Sequence, residues 1–226
     1  MWLLTTYRHT ALFSLRSSLA TSSGGKTNLV PSMYSMKMAL LDAAFRMGVD
    51  GKGIFPWVRD LHISFEPPEH AVVNNSFIKI LSEPKDKKNG PAFISSVAYR
   101  EYVSFEGDLR VGVCLEGLEE EQVELLQALL LHINYLGKRG SFVQPVAQER
   151  VESLGVSFSY VLGERAAMSA HVLMQYLDDM GEKATFESIS SFDSTGARLG
   201  KDRVMKSVFL PYRMRTSSRG YTWYSR

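Results

Sequence analysis

Leu136-Gly137-Lys138-Arg139-Gly140-Ser141-Phe142 is the stretch that decides how this chain is read. It follows the clearest helical periodicity in the sequence, Glu119 to Tyr135, and the strand that leaves it, Ser141 to Val146, is the last of a regular series. Gly137 falls where a helix C-cap is expected, because glycine takes a left-handed conformation without Cβ strain. Gly140 lets the backbone turn or approach another backbone closely. Between them, Lys138 and Arg139 set two cations on a tight turn, with Ser141 behind them. Accessible amides and outward cations suit a phosphate chain. Cations at a helix C-terminus also complement the macrodipole, and the turn alone fits that simpler role as well.

Working outward, the preceding helix opens on Glu119-Glu120-Glu121, acids that the dipole favours, and buries Val123, Leu126, Leu129, Leu130 and Ile133. Before it come a strand, Leu109 to Leu115, and two alternating runs, Val72 to Leu81 and Phe93 to Phe105, joined by a charged link from Glu83 to Gly90. Those runs predict a long β-hairpin with a polar tip, spanning about residues 70–106. Leu61 to Phe65 is a further strand, stopped by Pro67-Pro68. Pro31-Ser32 opens a helix to about Met47, with Met36, Leu40, Ala43 and Met47 on its apolar stripe and Gly48 ending it. Ser32, Tyr34, Ser35 and Lys37 occupy its first turns, where free amides attract anions and where Ser32 also suits an N-cap. Met1 to Leu15 reads as a strand interrupted at Tyr7-Arg8-His9, and Arg16 to Val30, with Gly24-Gly25-Lys26 at its centre, as a mobile loop. Gly-Gly-Lys-Thr is not a P-loop, since position 20 is Ala where the first glycine is required and no strand and helix flank it directly.

The resulting order is strand, helix, strand, inserted hairpin, strand, helix, strand. Without the hairpin this is the βαββαβ pattern of an α+β, ferredoxin-like (RRM-like) domain, here residues 1–150. Residues 151–226 form a C-terminal extension. It contains a strand at Val156 to Leu162, a helix at Ala166 to Met180, a loop at Ser188 to Gly200 and a basic, aromatic tail. In the tail, Arg213 and Arg215 lie among Tyr212, Tyr221, Trp223 and Tyr224, a composition suited to single-stranded RNA or to a partner protein.

Composition narrows the classes. With 226 residues, 45% of them hydrophobic, the chain buries a real core and is too apolar for disorder. A net charge of +2 means that any anion-binding surface arises from local sorting of charge. One cysteine, Cys114 in an apolar run, and five scattered histidines build neither a disulfide framework nor a metal cluster, which predicts a reducing, cytoplasmic setting and no cofactor. No apolar run reaches membrane-spanning length. Residues before Asp42 lack acids, so a mitochondrial transit peptide is an alternative to a first strand.

With these segments in place, the sequence resembles a CRISPR-associated protein. It is similar to the RAMP-superfamily subunit of type I Cascade that caps the 5′ handle of the guide RNA, the Cas family numbered five. The resemblance covers about residues 1–146. It rests on a first strand, a Ser/Thr/Gly-rich loop and the helix opening Val30-Pro31-Ser32-Met33-Tyr34-Ser35-Met36-Lys37. The inserted hairpin, a thumb in that family, and the Gly-Lys-Arg-Gly-Ser-Phe turn complete it. It implies a structural RNA-binding role. Gly137, Lys138, Arg139, Gly140 and Ser141 would face handle phosphates, joined by Arg16, Lys26, Ser32, Tyr34 and Lys37, with Tyr34 able to stack on a base. Tyr99, Arg100 and Tyr102 would be thumb contacts; Arg213 and Arg215 lie beyond the resemblance and are RNA-binding candidates by the composition of the tail.

The same resemblance implies partners: the guide RNA, the Cascade backbone subunit against the thumb, the large subunit nearby, and target DNA indirectly. It implies no membrane and no stand-alone homo-oligomer. Some members of that family cut precursor RNA without metal through a tyrosine, a lysine and a histidine, chemistry that needs only a base and a cation. His9, Tyr34 and Lys37 are the residues that would have to converge here. The expectation is a non-catalytic subunit. A metal-independent endoribonuclease and an organellar protein with a removed N-terminus are the alternatives.

Overall fold

Leu3, Thr5 and Tyr7 are fully buried along the first strand, β1 (Trp2–His9), which lies inside a sheet and not at its edge. The computed structural model describes residues 1–20, 24–84, 91–164, 172–190 and 196–226. After β1 come β2 (Gly24–Gly25), α1 (Met33–Arg46), α2 (Gly51–Asp60), β3 (Ile63–Glu66), β4 (His70–Ser82) and β5 (Ile94–Glu106). Then follow β6 (Leu109–Cys114), α3 (Glu120–Leu131), β7 (Val143–Val151) and β8 (Tyr160–Val161). The chain ends with β9 (Leu173–Met180), α4 (Phe186–Ile189), β10 (Arg203–Leu210), β11 (Arg213–Ser217) and β12 (Tyr221–Ser225).

The fold is α+β with antiparallel sheets and few helices. The first sheet runs β3-β6-β1-β7, each neighbour antiparallel, with Leu3 opposite Val113 on one side and Arg150 on the other. Helices α1 and α3 pack on each other, and α3 lies against β1 and β7. Tyr7 crosses that layer to donate a 2.7 Å hydrogen bond to the Leu130 carbonyl. A strand at the N-terminus is thus observed, running from Trp2 to His9 and not through Leu15. Phe13 instead exchanges two hydrogen bonds with Val103 of β5, at 2.9 and 2.8 Å, and so carries the chain from the first sheet to the second.

The second sheet is built on the predicted hairpin. β4 and β5 pair over their whole length, from His70 opposite Glu106 to Ser82 opposite Ile94, as the alternation in both runs predicts. Residues 85–90, most of the charged link, lie outside the described residues. The sheet order is β11-β12-β4-β5-β2, so the last two strands of the chain widen the sheet built on the hairpin. β2 pairs in parallel with Tyr99 and Arg100, and a Cβ on Gly25 would meet the Tyr99 carbonyl oxygen at 2.8 Å. Only glycine fits that approach.

Several expectations are corrected. The segment from Arg16 to Val30 is not a free loop. Ser17 N–H bonds to the Lys26 carbonyl at 2.9 Å and Asn28 N–H to that of Leu15 at 2.8 Å, a short hairpin whose residues 21–23 lie outside the described set. The helix predicted from Ala166 to Met180 is strand β9 in its described part, because Met174 and Tyr176 alternate outward on the β10 pairing. Residues 165–171 lie outside the described residues. Only Tyr160–Val161 of the predicted Val156–Leu162 strand is extended. The basic, aromatic tail forms the paired strands β11 and β12. Tyr212 is buried and donates 2.7 Å to the Pro68 carbonyl. Helix α2 went unforeseen because Gly51, Gly53 and Pro56 oppose a helix. An Asp50 cap on the Lys52 amide and burial of Ile54, Phe55 and Val58 override them. Cys114 is only partly buried.

Candidate nucleic-acid interface

The glycine-bracketed turn forms as the sequence implies. Gly137 and Gly140 have φ of +84° and +105°, a region other residues reach only with strain. Lys138 N–H donates to the Ser14 carbonyl and Ser141 N–H to the Lys138 carbonyl, both at 2.9 Å. These bonds engage two of the amides that would otherwise meet a ligand. The Lys138 and Arg139 side chains are exposed. Lys138 Nζ lies 6.0 Å from the centre of the Tyr102 ring, a cation above an aromatic face. Ser141 is corrected from a ligand contact to a support, because it is buried and its hydroxyl accepts the Ser14 N–H at 3.0 Å. A Cβ at Gly137 would also crowd the Ser14 carbonyl oxygen at 3.0 Å. Gly137→Ala is therefore expected to cost about 1–3 kcal/mol, measured by urea unfolding. Gly140→Ala, with open space around it, carries the backbone strain alone.

Beside the turn lies a groove of about 470 Å³ lined by Arg16, Tyr34, Tyr135, Gly137 and Arg203 among others. It joins Arg16 of the short hairpin, Tyr34 of α1 and Gly137 of the turn, three residues distant in sequence. The Arg203 guanidinium lies 4.5 Å from the centre of the Tyr34 ring and pairs with Asp178. Burial raises the Tyr34 phenol above its ordinary pKa, so it stays protonated at neutral pH. Arg203 is the groove residue that sequence reading missed, since a lone arginine starting a strand carries no signal of its own. Ser32 is corrected in the same way as Ser141. It is buried and caps α1, its hydroxyl accepting the Ser35 N–H at 3.1 Å. Arg16 is exposed and bonds the Ala20 carbonyl at 2.9 Å. Among the described residues, no carboxylate pairs with Arg16, Lys138 or Arg139.

Lys26, Tyr99 and Arg100 gather at a second place, midway along the β4–β5 hairpin where β2 joins it. Glu101 is buried there and holds Lys26 Nζ at 2.6 Å and the Thr27 amide at 2.8 Å. Its own carbonyl accepts the Ser14 hydroxyl at 3.0 Å, so Ser14 ties β5 to Ser141 of the turn. Arg213 and Arg215 stand apart, on the edge strand β11 of the second sheet, where Arg215 Nε donates to Ser225 Oγ at 2.6 Å.

Lys37 is the clearest correction. It lies in the first turns of α1 as expected, but its side chain is only 2% exposed and forms a 2.7 Å ion pair with Asp179. It also donates to the Arg59 carbonyl at 2.7 Å, and burial, offset by Asp179, depresses its ammonium pKa. His9 packs against Phe13 and Phe105, with ring centres 5.9 and 4.5 Å away, and neither ring nitrogen finds a partner. His9, Tyr34 and Lys37 thus engage three different sets of neighbours and form no shared site. Among the described residues, no group of three or more His, Cys, Asp or Glu is placed to hold a metal. No described helix is long and apolar enough to cross a membrane.

No protein-family model matches the chain. It is 25% identical over 204 residues to CRISPR-associated protein Cas5 of Archaeoglobus fulgidus, a match covering 87% of each protein. Among solved structures, a chain of a CRISPR RNA-guided surveillance complex aligns over 93% of this chain and 90% of its own, with a TM-score of 0.53 and 16% identity, a likeness of fold. A CRISPR protein from Archaeoglobus fulgidus aligns over 99% of this chain and 91% of its own, at a TM-score of 0.45 and 12% identity. Along most of its length the chain is thus similar in sequence to a protein named CRISPR-associated protein Cas5.

Proposed function

We propose that this protein is a non-catalytic subunit of a type I Cascade surveillance complex and that it grips the 5′ handle of the guide RNA. On this reading the β3-β6-β1-β7 sheet with α1 and α3 is a ferredoxin-like domain, and the β4–β5 hairpin is its thumb. The carrying observation is that Lys138, Arg139 and Arg16, without acidic partners among the described residues, surround a glycine-bracketed turn beside Tyr102 and Tyr34. Cations neutralise phosphates and tyrosines stack on unpaired bases, the combination that single-stranded RNA requires. Phe77, Leu81, Phe93 and Val97 stand exposed toward the thumb end. An apolar surface of that kind suits a neighbouring protein, here the Cascade backbone subunit, with the large subunit and, through it, target DNA further away.

Handle RNA titrated at several salt concentrations tests the proposal. Lys138→Ala and Arg139→Ala should each weaken binding and lower the log–log salt slope by about 0.7. An unchanged slope would mean that these side chains meet no phosphate. Metal-free cleavage of repeat RNA that vanishes in Tyr34→Phe would favour the endoribonuclease alternative.

A further inference from the structure

The inner face of the thumb holds cationic residues that the turn and its groove leave unused. Tyr99, Glu101 and Asn75 share that face, because Asn75 pairs with Glu101 and Tyr99 with Phe77 across β4 and β5. Tyr102, beneath Lys138, points to the other side of the same sheet, since alternate residues of a strand face opposite ways. A cavity of about 240 Å³ opens on the inner face between Lys26, Tyr99, Arg100 and Arg219. It shares Lys26 and Glu101 with a second cavity of about 300 Å³ that continues between the thumb and β9, past Tyr176 and Tyr224. The two form one cleft.

The C-terminal hairpin delivers Arg219 to it. The turn between β11 and β12 is anchored to the thumb by the Asn75 N–H, which donates to the Gly220 carbonyl at 2.9 Å, and is closed by the Ser218 N–H on the Tyr221 carbonyl at 2.8 Å. Asn75 Nδ2 also reaches the Arg219 carbonyl at 3.4 Å. Arg100 starts on the Tyr102 side by alternation, but its side chain turns past Gly25 at the sheet edge, donates 2.8 Å to the Tyr99 carbonyl and so lines the same cavity. Charge in the cleft is unbalanced. Glu101 is the carboxylate at its floor and is engaged by Lys26 and the Thr27 amide. Among the described residues, Arg100 and Arg219 form no ion pair. Tyr99 is 50% exposed and its ring is braced by Phe77, with the ring centres 3.9 Å apart.

We infer that this cleft is a second phosphodiester-binding station, in which Arg219 and Arg100 meet phosphates and Tyr99 stacks on a base. The station rests on the RNA-binding proposal above and extends it to the opposite face of the thumb and to the C-terminal hairpin. A phosphodiester strand is the chemistry recognised. A stretch of guide RNA or a DNA strand would each supply it.

The test titrates the full chain with single-stranded RNA and with DNA of the same sequence, over a range of salt. Arg219→Ala should lower the log–log salt slope by about 0.7 on the strand that occupies the cleft. Tyr99→Ala should weaken binding about tenfold or more. Arg219→Lys should restore the slope, which a folding defect would not allow. A loss seen with RNA alone assigns the guide, with DNA alone the target strand, and with both a phosphodiester of either kind. If Lys138→Ala lowers the slope while Arg219→Ala and Tyr99→Ala match wild type on both strands, the second station is wrong and the first stands. If the wild-type chain binds neither strand, both fall.

Discussion

Lys37→Met is expected to lower the unfolding free energy by about 3 kcal/mol, the largest stability loss of any single substitution considered. The variant keeps the volume and strands Asp179, which is itself 7% exposed, without its nearest counter-ion. Two contacts soften the loss. Lys206 Nζ stays 2.9 Å from the other Asp179 oxygen, and the Met180 amide donates to Asp179 Oδ1 at 2.8 Å. Removing both charges in Lys37→Met/Asp179→Leu should therefore recover much of the deficit, as replacing a whole buried pair by apolar groups commonly does. Urea unfolding of the two variants decides the matter. A Lys37→Met variant as stable as wild type would mean that the lysine is solvated and free to reach a ligand, restoring it to the RNA-binding set.

Acid should unfold the protein earlier than its carboxylates alone require, and His9 is the reason. Its imidazole sits among Phe13 and Phe105, and burial lowers its pKa from 6.5 to about 4, with Asp108 opposing. Between those values the unfolded chain binds a proton that the folded chain refuses. Stability from this group is thus complete above pH 6.5 and declines as pH falls toward 4. The shift is worth about 3 kcal/mol at most. His9→Phe suits the aromatic surroundings and removes the proton, so its stability should change far less over that interval. Equal acid slopes for His9→Phe and wild type would show that the ring is hydrated after all.

Much of the fold was legible because hydrophobic period and turn chemistry agree there. The β4–β5 hairpin alternates cleanly, and α1 has its cap, stripe and terminal glycine in the expected order. Reading failed where local and tertiary preferences conflict. Glycines and Pro56 hid α2, which its Asp50 cap and buried apolar face make a helix. β9 carries Leu173, Met174, Leu177 and Met180, a set compatible with either period, and only its partner β10 decides for a strand. The site divides in the same way. Glycine positions with a required backbone conformation, Gly137 and Gly140, were readable from spacing. Ser32, Ser141 and Lys37 were not separable from their exposed neighbours, because burial depends on which strand or helix arrives from elsewhere in the chain. Arg203 and Arg219 reach their clefts through strand pairing more than 180 and 140 residues from Ser18 and Asn75, which they contact, and no local pattern announces that.

Photo-crosslinking of the protein to its 5′ handle RNA, with the modified residues mapped by mass spectrometry, tests the central claim most directly. Crosslinks on Tyr102, on Tyr34 and within residues 136–142 are the predicted result. Crosslinks confined to α2, α4 and the outer face of β7, with the glycine-bracketed turn untouched, would contradict it.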